Sequence, residues 1–299
     1  MRDTGEEHRG VSTAPSALGG TFETDDGFAV HRLGFGAMQL AGPGVFGPPA
    51  DREQAKHVLR RAVELGVDHI DTSDFYGPWV VNELIAEALR PYPEGLRLVT
   101  KVGAYRDHEG NWPPINHPEA LKAQVHDNLR RLRTDSLALV HLRHTREEPG
   151  ISLEDQLSAL AELRDQGLVR HIGLSNVSLE QFEQVREHTP IATVQNLYNV
   201  VDRTSEPLLR RTAELGTAFI PFFPLGSGFS DSRARQDETL SVIAQRHGVT
   251  QAQVSLAWLL QRSANVLLIP GTSTVGHLEE NLAAAELELT DRDLTELNA

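Results

Sequence analysis

Three residues stand at spacings that could move a proton to a carbonyl. Lys101 closes the apolar run Leu98-Val99-Thr100-Lys101 and is one of three lysines in a 299-residue chain that holds 28 lysines and arginines together. Lys56 and Lys122 fall in polar, helical stretches. An ammonium at the end of an apolar run needs a carboxylate partner if it is buried. Asp71, at the end of the preceding strand-like run, could supply it, and Tyr76 follows in the next turn. A cation beside a phenol favours phenolate and draws the tyrosine pKa down from about 10 towards working pH. Tyr76 would then donate to a carbonyl oxygen that gains charge on hydride attack. Without chemistry, the same residues read as a structural Asp–Lys pair beside a packing tyrosine. Each residue alone fits that bland account; their place at consecutive strand ends favours function.

Such a set must be held by elements that bring strand ends together. Short β-branched or apolar runs predict strands at Arg32–Ala37, Val67–Asp71, Arg97–Lys101, Leu137–Leu142, Val169–Leu174, Thr193–Asn196, Ala218–Pro221 and Val266–Ile269. Between them, helical patterns span Asp51–Leu65, Trp79–Arg90, Pro118–Arg131, Leu153–Gln166, Leu179–Glu187, Glu206–Leu215, Asp237–His247, Thr250–Arg262 and Val275–Ala284. Asp51, Ser152 and Ser178 are placed as N-caps, and Gly66, Gly167 and Gly216 as stops. Strands alternating with helices imply parallel pairing through right-handed crossovers. An open doubly wound sheet shares that alternation. In a barrel the chemistry sits on the C-terminal face. There, Gly173-Leu174-Ser175-Asn176 and Val194-Gln195-Asn196 also end strands in polar residues. The expected class is α/β, with a (β/α)₈ TIM barrel and an open sheet both allowed by the alternation alone; a short N-terminal hairpin turning at Asp26-Gly27 would cap the barrel bottom. Residues 1–19 lack hydrophobic period and read as a disordered tail, leaving residues 20–299 as a single barrel domain.

The net charge of −14 opposes nucleic acid or an anionic membrane as the main partner. With no cysteine, disulfides, thiolate metal sites and a thiol nucleophile are excluded. No apolar run reaches the ~18 residues of a membrane span, and no signal pattern opens the chain, so a cytoplasmic location is expected. Arginine-rich, lysine-poor usage fits a GC-rich bacterial source. The sequence is silent on oligomeric state.

Taken together, the motifs resemble the aldo-keto reductase family. Asp71-Thr72-x-x-x-Tyr76-Gly77 with Thr100-Lys101 looks like the Asp/Tyr/Lys part of that family's catalytic tetrad. Its opening strand motif is similar to Arg32-Leu33-Gly34-Phe35-Gly36-Ala37-Met38, and its seventh-strand motif to Pro221-Phe222-Phe223-Pro224-Leu225-Gly226. Its late motif is similar to Ile269-Pro270-Gly271-Thr272 with Glu279-Glu280-Asn281. The likeness runs in order from about residue 30 to the C-terminus. It implies a (β/α)₈ TIM barrel, with Tyr76 as general acid, Lys101 lowering its pKa and Asp71 holding Lys101. It also implies NADPH/NADP+ as cofactor, bordered by Gly36 and Met38. Ser175, Asn176 and Gln195 would bond the nicotinamide carboxamide, with Phe222 stacked under the ring. Leu225, Gly226 and Ser227 would follow the pyrophosphate, and Gly271, Thr272, Ser273, His277, Glu280 and Asn281 the adenosine end.

The sequence departs from the family pattern at two places. Arg143 aligns where the tetrad usually has histidine. Its fixed charge suits substrate positioning rather than proton exchange. His141 lies on the same strand face and is placed in the substrate pocket with Phe46, Tyr105 and Trp112. A zinc site on His141 and His144 lacks further ligands at suitable spacing, so no metal is expected. Where strongly NADPH-selective relatives often have lysine and arginine, this chain has Gly271 and His277, which leaves NADH open. The loops Leu33–Pro49 and Asp71–Pro78 resemble a pyridoxal-reductase-like branch, in which arginine at the Arg143 position is usual. That resemblance implies reduction of an aldehyde to an alcohol, with pyridoxal to pyridoxine as the best single reaction. The alternatives are a ketoreductase tailoring a secondary metabolite or sugar, and a non-catalytic nucleotide-sensing protein.

Overall fold

The computed structural model describes residues 18–144, 149–225 and 233–298. Strands β1 (Thr21–Glu23) and β2 (Ala29–His31) pair antiparallel as a hairpin. Strands β3 (Phe35–Gly36), β4 (His69–Asp71), β5 (Arg97–Val102), β6 (Leu137–Arg143), β7 (Val169–Ser175), β8 (Thr193–Leu197) and β9 (Ala218–Phe222) lie side by side in chain order, all parallel. The helices are α1 (Arg52–Glu64), α2 (Val80–Leu89), α3 (Pro118–Leu132), α4 (Leu153–Asp165), α5 (Leu179–Val185), α6 (Glu206–Glu214), α7 (Arg233–His247), α8 (Gln251–Arg262), α9 (Val275–Ala283) and α10 (Asp291–Asn298). Helices cover the outer face of the sheet and interior side chains fill the inner one, which is why the strands read as near-continuous apolar runs. The expected N-caps hold. Asp51 accepts from the Gln54 amide, while Ser152 with Asp155 and Ser178 with Gln181 form reciprocal boxes.

The segment 265–270 closes the barrel. Phe219 N donates to Asn265 O and Leu267 N to Phe219 O, both at 2.9 Å. On its other side Leu268 N donates to Arg32 O and Gly34 N to Leu268 O, both at 2.7 Å. The predicted eighth strand is thus present as bridges Leu33–Leu268 and Phe219–Val266 rather than a full ladder. Pro270 has no N–H to donate, but its carbonyl still accepts from Gly36 N at 3.3 Å. The first strand is likewise shorter than expected, because the chain turns into a 3₁₀ segment at Ala37–Leu40.

Phe28 and Val30, on the hairpin side, pack with Val99, Leu139, Ala192, Ala218, Ile220 and Leu267 from the barrel interior. The hairpin therefore plugs the N-terminal end of the barrel, opposite the strand ends that bear polar residues. Leu18 and Gly19, read from sequence as the end of a tail, are placed: Leu18 is buried in the main core. Residues 1–17 lie outside the described residues. Helix α10 was not expected. Its signal is Thr290 three residues before Asp293, where each side chain bonds the other's backbone N–H.

Gly34 shows how tightly the first strand is seated. A Cβ on Gly34 would lie 2.2 Å from Nε2 of the buried His69. Gly34→Ala should cost about 1–3 kcal/mol of stability through overpacking. The expected result is a lower denaturant midpoint with unchanged m.

Candidate active site

Parallel register sets the site. Arg143 pairs with Ser175 and Ser175 with Gln195, so β6, β7 and β8 present three polar side chains in one row at their C-terminal ends. Lys101 sits one row lower, level with His141, Gly173 and Thr193. Its long side chain climbs to the upper row. There Nζ bonds Asp71 Oδ1, the Thr72 carbonyl at 3.1 Å and the Tyr76 phenolic oxygen at 3.1 Å. An ammonium has three N–H bonds, and all three are used. Because the Tyr76 oxygen accepts from Lys101, its own hydrogen points away from the lysine.

The loop that carries Tyr76 is anchored by a buried polar network absent from the sequence reading. Thr72 Oγ1 donates to Asn82 Oδ1 at 2.8 Å. Asn82 and Thr100 both donate to Asn128 Oδ1, at 2.8 and 2.6 Å. This ties β4 and β5 to α2 and α3 directly behind the site. Asn82 and Asn128 in otherwise apolar helix faces were the available signal.

Electrostatics correct one expectation. Burial pushes the Tyr76 phenol above its ordinary value, and the attraction of Lys101 and Arg143 offsets only part of that. Burial alone would lower Lys101, but Asp71 and Tyr76 outweigh it and hold the ammonium above its usual range. The pair is therefore a protonated phenol beside a protonated amine, which is a proton donor held charged from behind. Arg143 is lowered by burial and by Arg106, against Tyr76, yet a guanidinium remains a cation. Its side chain donates no hydrogen bond among the described residues; it rests near Phe75 and Trp112, with Cζ 5.6 and 5.3 Å from the ring centres.

Tyr76, Lys101, Arg143, Ser175, Asn176, Gln195 and Phe222 share one cavity of about 920 Å³ with Met38, Trp112 and Ser273. That is at the upper end of the ~300–1,000 Å³ usual for cofactor and small-molecule sites. A smaller recess continues past Phe222 to Gly36, Leu225 and Gly271. The donor set fits an amide-bearing aromatic ring: Ser175, Asn176 and Gln195 offer hydroxyl and amide groups beside the Phe222 ring. Gln195 departs from expectation in part, because its Nε2 donates to Asp71 Oδ2 at 3.1 Å, leaving its oxygen for a ligand. At the far end, His277 is exposed in the first turn of α9, and Glu280 accepts from Thr250 Oγ1 at 2.7 Å. Thr272 and Asn281 are buried, with Thr272 Oγ1 accepting from Thr274 N at 3.2 Å. Gly226 and Ser227 lie outside the described residues.

Three substrate-pocket expectations fail. His141 is fully buried below the cavity floor, where Nε2 meets Thr193 Oγ1 at 2.8 Å. Burial and Lys101 hold it well below the ordinary histidine value, hence neutral. Phe46 and Tyr105 are exposed and point off the cavity wall; of the loop aromatics, Trp112 lines it. Missed were Gly44, Val45, Asp51, Gln54 and Phe223, which also line the cavity. Among the described residues no cluster of three acids or histidines could hold a metal, and no helix is long and apolar enough to cross a membrane.

Asp74, two residues before Tyr76, is buried with Ser73 and Gln124 as partners. Burial raises its carboxyl to about 8. The folded state therefore binds a proton between pH 4 and 8 that the unfolded chain releases, and wild-type stability falls as pH rises through that window. Asp74→Asn should gain stability over wild type as pH goes from 4 to 8, with the gain vanishing at the acid end. Urea unfolding at three pH values checks this.

A model of the aldo/keto reductase family matches residues 32–299. Pyridoxine 4-dehydrogenase of Escherichia coli (strain K12) is 52% identical over 276 residues, covering 90% of this chain and 94% of that protein. Among solved structures, a thermostable aldo-keto reductase in complex with the inhibitor epalrestat superposes with a TM-score of 0.81 at 32% identity, covering 93% of this chain and 98% of the other. An aldo-keto reductase from Klebsiella pneumoniae in complex with NADPH gives 0.78 at 26% identity, with 93% of each chain covered. A closed parallel barrel, an Asp–Lys–Tyr set at its C-terminal mouth and these likenesses over nine-tenths of the sequence place the chain in the aldo/keto reductase family.

Proposed function

We propose that this protein reduces an aldehyde to an alcohol with hydride from NADPH, and that pyridoxal, giving pyridoxine, is its best single substrate. The observation that carries this is the Tyr76 hydroxyl facing the cavity, with Lys101 and Asp71 behind it. The similarity to pyridoxine 4-dehydrogenase supports the substrate. The chain from Leu18 onward acts as one barrel unit, and the cytoplasm is the proposed location.

When bound, the cofactor would supply the hydride that reaches the carbonyl carbon. The protein's own part is to hold and move a proton. Tyr76 donates its hydrogen to the carbonyl oxygen as that oxygen gains charge, and Lys101 stabilises the phenolate left behind. Asp71 keeps Lys101 charged and aimed. A proton from solvent then restores the phenol. Ser175, Asn176 and the Gln195 oxygen would orient the carboxamide, and Phe222 would form a wall for the ring. Arg143 would meet an anionic oxygen of the substrate, such as the phenolate of pyridoxal, because its donors are otherwise unused among the described residues and it lies beside Trp112 and Phe75. At the adenosine end, His277 and the first turn of α9 would meet the cofactor's 2′-phosphate, with no lysine or arginine in the motif positions. Selectivity for NADPH over NADH should accordingly be modest.

NADPH oxidation at 340 nm with pyridoxal, beside NADH and a no-substrate control, tests the reading. Turnover is expected. Binding of NADPH without turnover on pyridoxal would redirect the search to larger ketones. Tyr76→Phe should lower kcat by about 10²–10⁴, the usual worth of a positioned general acid; near-full turnover would sink the mechanism. Since Tyr76 and Lys101 both titrate above their ordinary values, kcat/KM for reduction should show no loss from this pair until pH passes the ordinary tyrosine value of 10. A pH–rate profile reads this directly.

A further inference from the structure

The aromatic wall of the cavity is held by a side chain outside the catalytic set. Arg106 lies in a short flap, residues 103–115, that folds on itself through Tyr105 N to Pro113 O at 3.0 Å and Ile115 N to Gly103 O at 2.9 Å. Its guanidinium stacks on Trp112, with Cζ 3.9 Å from the ring centre. From there it reaches a second segment: Nη1 donates to Val45 O at 3.1 Å and Nη2 to Gly44 O at 3.0 Å. Gly44, Val45 and Trp112 line the cavity. Arg106 stands behind them.

Val45 is the unusual member. It sits in left-handed backbone at φ 59°, directly after Gly44 at φ 66°. Glycine takes that conformation freely, but a β-branched residue there is an outlier that persists only when its surroundings over-determine it. Two donors converge on the Val45 carbonyl. One is Arg106 Nη1; the other is the backbone N–H of Gly77, at 3.2 Å. Gly77 immediately follows Tyr76. Flap, cavity wall and the Tyr76 loop therefore meet at a single oxygen. The rings repeat the connection, since Trp112 packs edge-on against Phe75 and Phe75 against Tyr76, each at 5.5 Å between centres.

We propose that Arg106 is a positioning residue: by tethering Val45 in its strained conformation it sets the wall on which the substrate rests and, through Gly77, the place of Tyr76. Its kinetic part rests on the reductase reading above. Arginine suits the task because its planar fork can bond two successive carbonyls while its face stacks on an indole; lysine offers neither geometry.

A double-mutant cycle separates this role from a generic structural one. Arg106→Met keeps the apolar stem and loses both bonds, while Val45→Gly removes the need for a tether. Arg106→Met should raise KM for pyridoxal about tenfold, roughly the worth of one residue held in left-handed backbone. Its kcat should change less, and NADPH binding by fluorescence titration should stay within about twofold. In the Val45→Gly background the added effect of Arg106→Met should shrink to about twofold or less. Arg106→Lys, a milder change should the methionine variant fold poorly, should behave like it and not like wild type. A wild-type KM in Arg106→Met, or a penalty undiminished by Val45→Gly, overturns the proposal. Thermal unfolding of the same four proteins gives a readout free of turnover: the loss in Tm caused by Arg106→Met should fall in the Val45→Gly background. An additive melting cycle overturns the tether even if the kinetics agree. A wild-type protein that binds NADPH and reduces no carbonyl would sink the reductase reading, and the melting cycle would still decide on Arg106.

Discussion

A lysine ammonium survives in a protein interior when every N–H bond has an acceptor and an opposite charge stands close. Lys101 meets both conditions with Asp71, the Thr72 carbonyl and Tyr76, and these partners come from a single stretch of chain leaving β4. Satisfying one cation therefore fixes the path of six residues. It also decides which way the phenol hydrogen faces. The Asn82–Asn128–Thr100 network holds that path from the helix side, and Gln195 holds the second oxygen of Asp71 from across the barrel. Remove the ammonium and a buried carboxylate, a carbonyl and a phenol all lose their common partner.

Beneath this level the interior changes character. His141 is neutral, fully buried and bonded to Thr193, and Gly173 between them leaves the room they need, since a Cβ there would lie 2.4 Å from Thr193 Oγ1. Below that, the hairpin residues Phe28 and Val30 complete an apolar floor. The barrel is thus graded from wet mouth to dry base. Such a base limits water under the charged set, which strengthens its electrostatics.

Much of this was legible in the sequence because it is written locally. Alternation of apolar runs and capped helices pointed to parallel strands, the family resemblance closed them into a barrel, and Asp71, Tyr76 and Lys101 could be singled out because strand ends carried them. What could not be read is what depends on three dimensions at once. His141 shares a strand face with Arg143, yet a two-residue step along β6 is enough to drop it below the cavity floor. Phe46 and Tyr105 are loop aromatics like Trp112, and nothing in composition says which one turns inward. The direction of the Tyr76 shift is hidden for a related reason: the sequence shows the neighbouring cation but not the completeness of the burial. Arg106 and Val45 gave no signal at all, because a strained backbone angle and its tether are properties of two loops that meet only in the folded protein.

Closure of the barrel has a consequence for the order in which the chain can acquire its structure. The last stave, residues 265–270, pairs with residues 32–34, and Arg32 binds carbonyls of Leu260, Ser263 and Val266 from the opposite end of the sequence. During synthesis, everything through β9 can be made while two sheet edges stay open. Open parallel edges pair with whatever strand is near. The nascent protein is therefore most exposed to mispairing just before residues 265–270 emerge, and that stave acts in effect as the clasp that ends the hazard.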